Sequence, residues 1–316
     1  MASLETVALD QARWTLTANR LKYSLERARS LILGLTFAGA ILAALAVQIH
    51  TSYPAASEAA GYGAAAALAL VVIVRAQGLR SERVQAWVLA GAASQSFRSE
   101  IYHYRTSSGP YGDHLVGNPE AALLERRDDI LEKVRSIQRY TVEPDPKTVA
   151  PHGPLDADAY VSERVDGAIS EFRWGEDHFV SAQGFWQKLE YVLAIAGAVS
   201  AAALTFTHHQ AYGAWVAVLT TISVAVGADT LSERYAQLTV EYRAMPERLT
   251  RIVGRWRANR GTLEQLVEQV EATLLQEYQA WVAGADEFLK DTAWSPAKDS
   301  LPKPVLQAPA SRTALG

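Results

Sequence analysis

The chain has 316 residues, a near-neutral mean hydropathy and a formal net charge of -4 from 30 basic and 34 acidic side chains. This length indicates about two domains, and the hydropathy argues against a protein that is embedded entirely in a membrane. The balanced charge provides no overall field to attract nucleic acid, so no nucleic-acid partner is expected. The sequence has no cysteine, which excludes disulfides, thiolate catalysis and cysteine-ligated metals.

Four apolar stretches predict membrane-spanning helices. They are residues 31–49, 59–78, 191–207 and 211–228. The first contains only Thr36 and Gln48 as polar side chains, and at about 1.5 Å per residue it would cross roughly 30 Å of hydrocarbon. The last two are separated by three residues, which requires antiparallel neighbours. Two buried helical hairpins in a large soluble bundle are the alternative interpretation.

The distribution of basic residues favours the membrane interpretation. Lysine and arginine are frequent within about twenty residues of the outer ends of these stretches, whereas the two hairpin tips, residues 50–58 and 208–210, contain none. Cytoplasmic flanks of membrane spans collect positive charge. We therefore predict a multi-pass inner-membrane protein with both termini in the cytoplasm. Residues 1–14 have no apolar stretch, so they are not expected to form a secretory signal.

The order of elements indicates a duplication. A shift of 151 positions aligns Ser81-Glu82-Arg83 with Ser232-Glu233-Arg234, each just beyond a predicted hairpin. The predicted fold class is all-α, an integral membrane protein with four spans as two tandem helical hairpins and long cytosolic helical extensions. The predicted domains are residues 1–140 and 159–292, with a proline-rich linker at 141–158 and a disordered tail at 293–316.

Two further helices are predicted outside the spans. Pro119 opens an amphipathic helix that extends to about Tyr140. An apolar stripe with three-and-four spacing runs through residues 263–281, which predicts packing within one subunit or a coiled contact between subunits. Pro246 is expected to interrupt the helix that follows the fourth span.

A membrane hairpin followed by a cytosolic helix, carried twice, resembles the SLATT domains, the two-transmembrane effectors associated with SMODS nucleotidyltransferases and SLOG proteins. The first half carries the clearest likeness, in the stretch FRSEIYHYRTSSGPY with Arg98, Glu100, Gly109, Pro110 and Tyr111. The likeness covers roughly residues 15–112 and 175–290. It implies an effector of a conflict system that oligomerises, opens a pore or otherwise damages the membrane, and kills or arrests a phage-infected cell.

The fourth predicted span has residues suited to a pore or to close helix packing. The candidates are Gly213, Ala217, Thr220, Ser223 and Gly227, with Asp229 at the cytoplasmic mouth. Small residues let helices approach closely, and hydroxyl groups provide polarity without charge. Packing within the monomer, with each hydroxyl bonded to its own backbone, is the alternative. Four spans are too few to enclose a water-filled path, so a pore would require a homo-oligomer in the lipid bilayer.

No catalytic motif is found, so we expect neither enzyme activity nor a cofactor or metal. Some charged and polar side chains are candidate contacts for a nucleotide second messenger or a sensor protein, because arginine binds phosphate well. These are Arg98, Glu100, Tyr111, Arg126 and Arg127. Solvated helix faces are the alternative explanation. A membrane-anchored scaffold or receptor that recruits cytosolic signalling partners without conducting is the alternative to the effector pore.

Overall fold

The computed structural model describes residues 2–112, 117–145, 153–207, 215–216, 218–220, 222, 231–259 and 261–291. Every regular element in these residues is helical, which confirms the all-α class for this part of the chain. The α-helices are α1 (Ala2–Ile49), α2 (Pro54–Gly78), α3 (Ser81–Arg105), α4 (Pro119–Lys133), α5 (Ala157–Tyr160), α6 (Asp166–Thr207), α7 (Leu231–Asn259) and α8 (Leu263–Asp291). A π-helical turn, Val161–Val165, joins α5 to α6.

Helices α1 and α2 form a tight hairpin. At its tip Pro54 occupies the first turn of α2, and the Ser57 hydroxyl donates to the Ala46 carbonyl oxygen at 2.7 Å. At its open end a Cβ on Gly78 would lie 2.6 Å from the Ala28 Cβ, so only glycine permits this approach of the two helices. The first predicted hairpin is therefore present, and α1 extends well beyond it toward the N-terminus.

The N-terminal core packs the first part of α1 against α3 and α4. Trp14, Phe97 and Leu123 are almost fully buried at its centre. The predicted helix at Pro119 is confirmed, with the Asn118 side chain accepting the Glu120 amide at 3.0 Å. This helix ends at Lys133 and continues as a 3-10 turn, Arg135–Tyr140.

The C-terminal core packs the π-helical turn against α7 and α8. Its most buried side chains are Tyr160, Val165, Leu249, Val267 and Val270. Leu266 and Val270 belong to the apolar stripe predicted in residues 263–281. The first part of that stripe therefore packs within the subunit.

Helix α7 continues through Pro246, so the expected interruption there is wrong. Proline removes one backbone donor and crowds the preceding turn. The neighbouring side chains of Met245 and Leu249 are buried in the fold, and this packing offsets the loss. The exposed end of α7 is linked to α8 by a capping box between Thr262 and Gln265, with bonds of 3.2 and 3.3 Å.

The described parts of the predicted linker are attached to two helices of the first half, α1 and α3. The Val142 amide donates to Thr17 Oγ1 at 3.0 Å, and the Leu155 amide donates to the Arg105 carbonyl oxygen at 2.8 Å. The predicted tail, residues 293–316, lies outside the described residues.

Candidate functional site

The α1–α2 hairpin exposes an apolar surface whose contact with water would be unfavourable. Within the most apolar 18-residue windows of the two helices, only 17% and 11% of the residues are buried. Large side chains such as Val47, Leu68 and Val72 are about half exposed or more. A core helix of a soluble protein would be mostly buried. Because the described residues leave most of this surface uncovered, the hairpin suits a lipid environment.

Part of the later apolar stretches packs against the same hairpin. Ala44 of α1 forms a cluster with Leu193 of α6 and with Val218 and Ile222. Among the described residues, two helices are long and apolar enough to span a membrane, and residues Tyr191–Ala202 of α6 form a shorter apolar segment. Two spans are therefore supported, and the four-span topology stays a prediction.

The predicted pore residues lie almost entirely outside the described part of the chain. Thr220 is described: its side chain is exposed and its hydroxyl donates to the Val216 carbonyl oxygen at 2.8 Å. This bond is the one that the packing alternative anticipates. The other candidates, Gly213, Ala217, Ser223, Gly227 and Asp229, lie outside the described residues, so the pore face stays a prediction.

The five predicted ligand contacts are divided among three places. Glu100 accepts a hydrogen bond from the Tyr111 hydroxyl at 2.5 Å, and Arg126 lies close enough to Tyr111 to act on it electrostatically. Arg98 pairs with Glu171 of α6 at 3.4 Å. Arg127 binds Asp10 at 2.6 Å. The fold thus gives each of these groups a neighbour within the protein, and their role as contacts for a ligand or partner stays a prediction.

The Gly-Pro-Tyr segment places an aromatic ring against α3. Gly109 has a φ of 58°, which favours glycine, and it directs the short 3-10 turn back toward the helix. Tyr111 is buried and packs edge to face on Tyr104, with ring centroids 5.4 Å apart. Burial and the bond to Glu100 raise the pKa of Tyr111 far above its ordinary value. The predicted segment is therefore a structural element of the N-terminal core.

A buried carboxylate holds α1 to α4. Asp10 is 3% exposed and accepts hydrogen bonds from Arg13 at 2.7 Å and from Arg127 at 2.6 Å. Arg13 also binds Glu143 at 2.7 Å, which attaches the start of the linker. Asp10 was not among the predicted site residues. Its position three residues after the buried Val7 and four before the buried Trp14 is the signal that could have identified it.

A second polar cluster connects the two halves of the chain, and we call it the junction. It comprises Tyr102 and Arg105 of α3, Tyr160 of α5, Glu163 and Arg164 of the π-helical turn, and Glu271 of α8. Within it, the Arg105–Glu163 pair and the contacts of Tyr102 join α3 of the first half to the π-helical turn of the second half. The junction therefore couples the two halves through polar contacts.

The inner part of the junction is a bidentate ion pair. Arg164 donates from Nε and Nη2 to the two carboxylate oxygens of Glu271, each at 2.8 Å, and the Tyr160 hydroxyl donates to the same carboxylate at 3.0 Å. Arg164 is 5% exposed and Glu271 is 2% exposed. Burial lowers the pKa of Arg164, but the adjacent Glu271 outweighs this effect and the pKa is raised. The Arg164 guanidinium therefore stays charged in the interior.

The outer part of the junction binds the first half to the π-helical turn. Arg105 forms a bidentate pair with Glu163, with one bond at 3.0 Å, and its Nε donates to the Gly153 carbonyl oxygen at 2.8 Å. The guanidinium of Arg164 lies 5.0 Å from the centroid of the Tyr102 ring. Tyr102 in turn donates its hydroxyl to Glu163 at 3.2 Å. Tyr102 thus connects the outer pair to the inner one, through its hydrogen bond to Glu163 and its cation–π contact with Arg164.

Sequence reasoning missed the junction, although one signal was present. Glu271 lies four residues after Val267 and three before Leu274, on the apolar face of α8. An acidic residue on an apolar helix face requires a buried partner. The partner, Arg164, lies in a π-helical turn, an element that often marks functional positions. No periodicity in the sequence indicates such a turn.

In its described residues the chain is all-helical, and an apolar hairpin suited to a membrane carries two packed cores that are joined by polar contacts. Residues 160–281 match the family described as SMODS and SLOG-associating 2TM effector domain 1. Residues 12–116 match a family described as protein of unknown function (DUF4231). No curated protein and no solved structure matches the chain.

The matches confirm the predicted SLATT resemblance for the second half of the chain. The first half was expected to carry the clearest likeness, yet its residues match a different family model. A tandem pair of SLATT domains stays a prediction. The SLATT match and the two apolar helices together suggest a membrane protein whose second half is similar to a two-transmembrane effector domain.

Proposed function

We propose that this protein is an oligomeric, ion-conducting membrane effector of a prokaryotic anti-phage defence system, which kills or arrests the cell when triggered. The observation that carries the proposal is the match of residues 160–281 to a two-transmembrane effector domain. The protein would reside in the inner membrane with both termini in the cytoplasm, as the distribution of basic residues predicts.

The exposed apolar surface supports assembly into an oligomer. Ile41 and Leu45 on α1, and Leu68, Val72 and Ile73 on α2, remain exposed in the single chain. In the bilayer these side chains can face lipid or a second copy of the hairpin. A closed ring of copies would provide the wall that one chain with few spans cannot build.

The junction provides a route from a trigger to the membrane. Helix α3 begins three residues after the end of α2, and α6 runs from the C-terminal core into the third apolar stretch. A second messenger or a sensor protein that changed the junction would therefore move helices that lead directly into the spans. The trigger would act on the relative position of the two cores.

A liposome flux assay tests conduction at a described residue. We expect purified protein in dye-loaded liposomes to release ions as an oligomer of defined mass, and Thr220→Leu to abolish the flux without changing that mass. Thr36→Leu in α1 is the matched control, because Thr36 also donates to its own helix, at 2.8 Å to the Ile32 carbonyl oxygen. Equal loss of flux in both variants would contradict a specific role for the fourth span.

A cysteine-labelling assay tests the topology, because the sequence has no cysteine of its own. Ser52→Cys places a thiol at the hairpin tip, and Asp129→Cys places one on the exposed face of α4. A membrane-impermeant maleimide added to intact cells should label only the tip. Labelling of Asp129→Cys alone would reverse the orientation.

A membrane-anchored scaffold that recruits cytosolic signalling partners is the second candidate. The observation that favours it is that the α1–α2 hairpin alone would suffice as an anchor for the two large cores. This candidate predicts that liposomes containing the protein release no ions, with or without an added partner or nucleotide. Flux that appears once a defence-linked partner or nucleotide is added would favour the effector instead.

A further inference from the structure

An open groove lies at the base of the hairpin, where α1 passes the joint between α2 and α3. Its volume is about 950 Å³. The lining includes the basic residues Arg20, Arg27 and Arg83, together with Tyr23, Leu31 and Val74. Leu31 begins the first apolar stretch and Val74 ends the uncharged part of the second. The groove therefore extends from the aqueous flank of the hairpin to the level of the membrane hydrocarbon.

The three arginines converge from two helices. Arg20 and Arg27 lie seven residues apart, two turns along one face of α1, with Tyr23 between them on that face. Arg83 comes from the first turn of α3. Three guanidinium groups on one groove create a local positive potential that the net charge of -4 conceals.

These arginines differ from other basic side chains nearby in having no acidic partner. Arg13 pairs with Asp10, Lys22 with Glu26, and Arg139 with Glu82. Among the described residues, no carboxylate lies within ion-pair distance of Arg20, Arg27 or Arg83. Several neighbouring cations are thus neutralised within the fold, whereas the three arginines of the groove keep an unpaired positive charge.

We propose that the groove binds the phosphate headgroup of an anionic phospholipid. Guanidinium groups bind phosphate oxygens in a bidentate manner, and the Tyr23 hydroxyl can add a further bond. Leu31 and Val74 would contact the first methylenes of the acyl chains. An inorganic phosphate has no apolar portion for this end of the groove, and a nucleotide has no hydrocarbon chain to follow Leu31 and Val74 into the membrane, which favours a lipid as the ligand.

The site is independent of conduction. It requires only that the hairpin is inserted in a membrane, and it would select acidic over zwitterionic lipids whether the protein is a pore or a scaffold. The lipid would also lie against Gly78, at the point where α1 and α2 come closest. It would therefore occupy the level at which the spans leave the membrane.

Native mass spectrometry of the full-length protein, released from vesicles of equal phosphatidylglycerol and phosphatidylcholine, tests the proposal. We expect phosphatidylglycerol to remain bound to the wild type in preference to phosphatidylcholine. The variant R20Q/R27Q/R83Q should lose about 100-fold of this affinity, since each arginine near an anionic surface contributes roughly a factor of five.

The matched control removes the same charge elsewhere. Arg251, Arg255 and Arg257 are exposed on α7, the first of them twenty residues beyond Leu231. The variant R251Q/R255Q/R257Q should retain phosphatidylglycerol as the wild type does. Equal loss in both variants would overturn the proposal, because it would show a diffuse charge effect.

Two further measurements separate the remaining explanations. The variant R20K/R27K/R83K keeps the charge, so it should retain more lipid than the glutamine variant and unfold at the same temperature as the wild type. Equal loss of lipid from the lysine and glutamine variants would overturn the role of charge. Displacement of phosphatidylglycerol by millimolar inorganic phosphate would overturn the lipid assignment in favour of a soluble anion. Lipid retention in a protein that shows no flux would leave the site standing and contradict only the pore.

Discussion

Removal of one partner from the inner ion pair of the junction should destabilise the protein strongly. The change Glu271→Leu deletes two arginine–carboxylate bonds of 2.8 Å and leaves the buried Arg164 guanidinium unpaired. A buried charge that loses its partner costs about 3–5 kcal/mol of unfolding free energy. For domains of this size, roughly 2–4 °C of Tm per kcal/mol would lower Tm by about 6–20 °C.

A variant without either charge separates charge burial from lost packing. The combined change Tyr160→Phe, Arg164→Met and Glu271→Leu removes the guanidinium, the carboxylate and the hydroxyl that depends on it. Because the desolvation cost of both charges disappears, this variant should be at least about 2 kcal/mol more stable than Glu271→Leu alone. Glu171→Gln, which weakens the largely exposed pair with Arg98, should cost less than about 1 kcal/mol.

Thermal unfolding of the detergent-solubilised full-length protein, followed by tryptophan fluorescence, measures these differences. Hydrogen exchange localises them, because Glu271→Leu should increase exchange in the π-helical turn and in the first half of α8. The reasoning fails if Glu271→Leu unfolds within about 1 kcal/mol of the wild type. It also fails if the charge-free variant is as unstable as the single one.

Three other changes test separate parts of the fold by thermal or pH-dependent unfolding. Asp10→Asn should lower the unfolding free energy by about 2–3 kcal/mol, because a buried acceptor of two arginines loses its charge. The control Asp128→Asn, at an exposed side chain, should lower it by less than about 1 kcal/mol, and similar losses in the two variants would contradict the burial argument. Gly78→Ala should lower the unfolding free energy by about 1–3 kcal/mol, because the added methyl group would collide with Ala28. Gly61→Ala is the control, since a Cβ there meets open space and should not destabilise the protein. An unchanged stability of Gly78→Ala would refute the close approach of α1 and α2. Burial and the adjacent Glu271 carboxylate raise the pKa of Tyr160, so its contribution to stability is complete below pH 10.0 and declines above it. Tyr160→Phe should reduce the alkaline slope by up to about 1.4 kcal/mol per pH unit, and parallel curves would exclude this effect.

The groove at the base of the hairpin shows why local charge matters more than the total. The chain as a whole is slightly acidic, and several of its arginines have acidic partners in the fold, among them Arg13, Arg127 and Arg164. Arg20, Arg27 and Arg83, at the membrane flank, have no acidic partner among the described residues and are the ones that we propose bind a lipid phosphate. A count of charges in the sequence cannot separate the two groups, because pairing depends on which helices are neighbours.

The α1–α2 hairpin and the helix at Pro119 were readable from local signals. An apolar run of nineteen residues must avoid water, and proline at the first helical position with Asn118 before it is a local start signal. Both depend on residues within one or two turns of each other. The continuation of α7 through Pro246 was misjudged because a local helix-breaking tendency was offset by packing from distant parts of the chain.

Composition and periodicity alone were sufficient for the helical class and the membrane hairpin, because each depends on a one-dimensional pattern. The likeness to an effector domain came from the resemblance to a family. The partners of Arg98, Arg127, Arg164 and Glu271 required the folded chain. The two members of each pair are far apart in the sequence: 73 positions for Arg98 and its partner, 117 for Arg127 and its partner, and 107 for Arg164 and Glu271. Many arginines and acids could pair at such distances, and only the packing of the helices determines which of them meet in the interior.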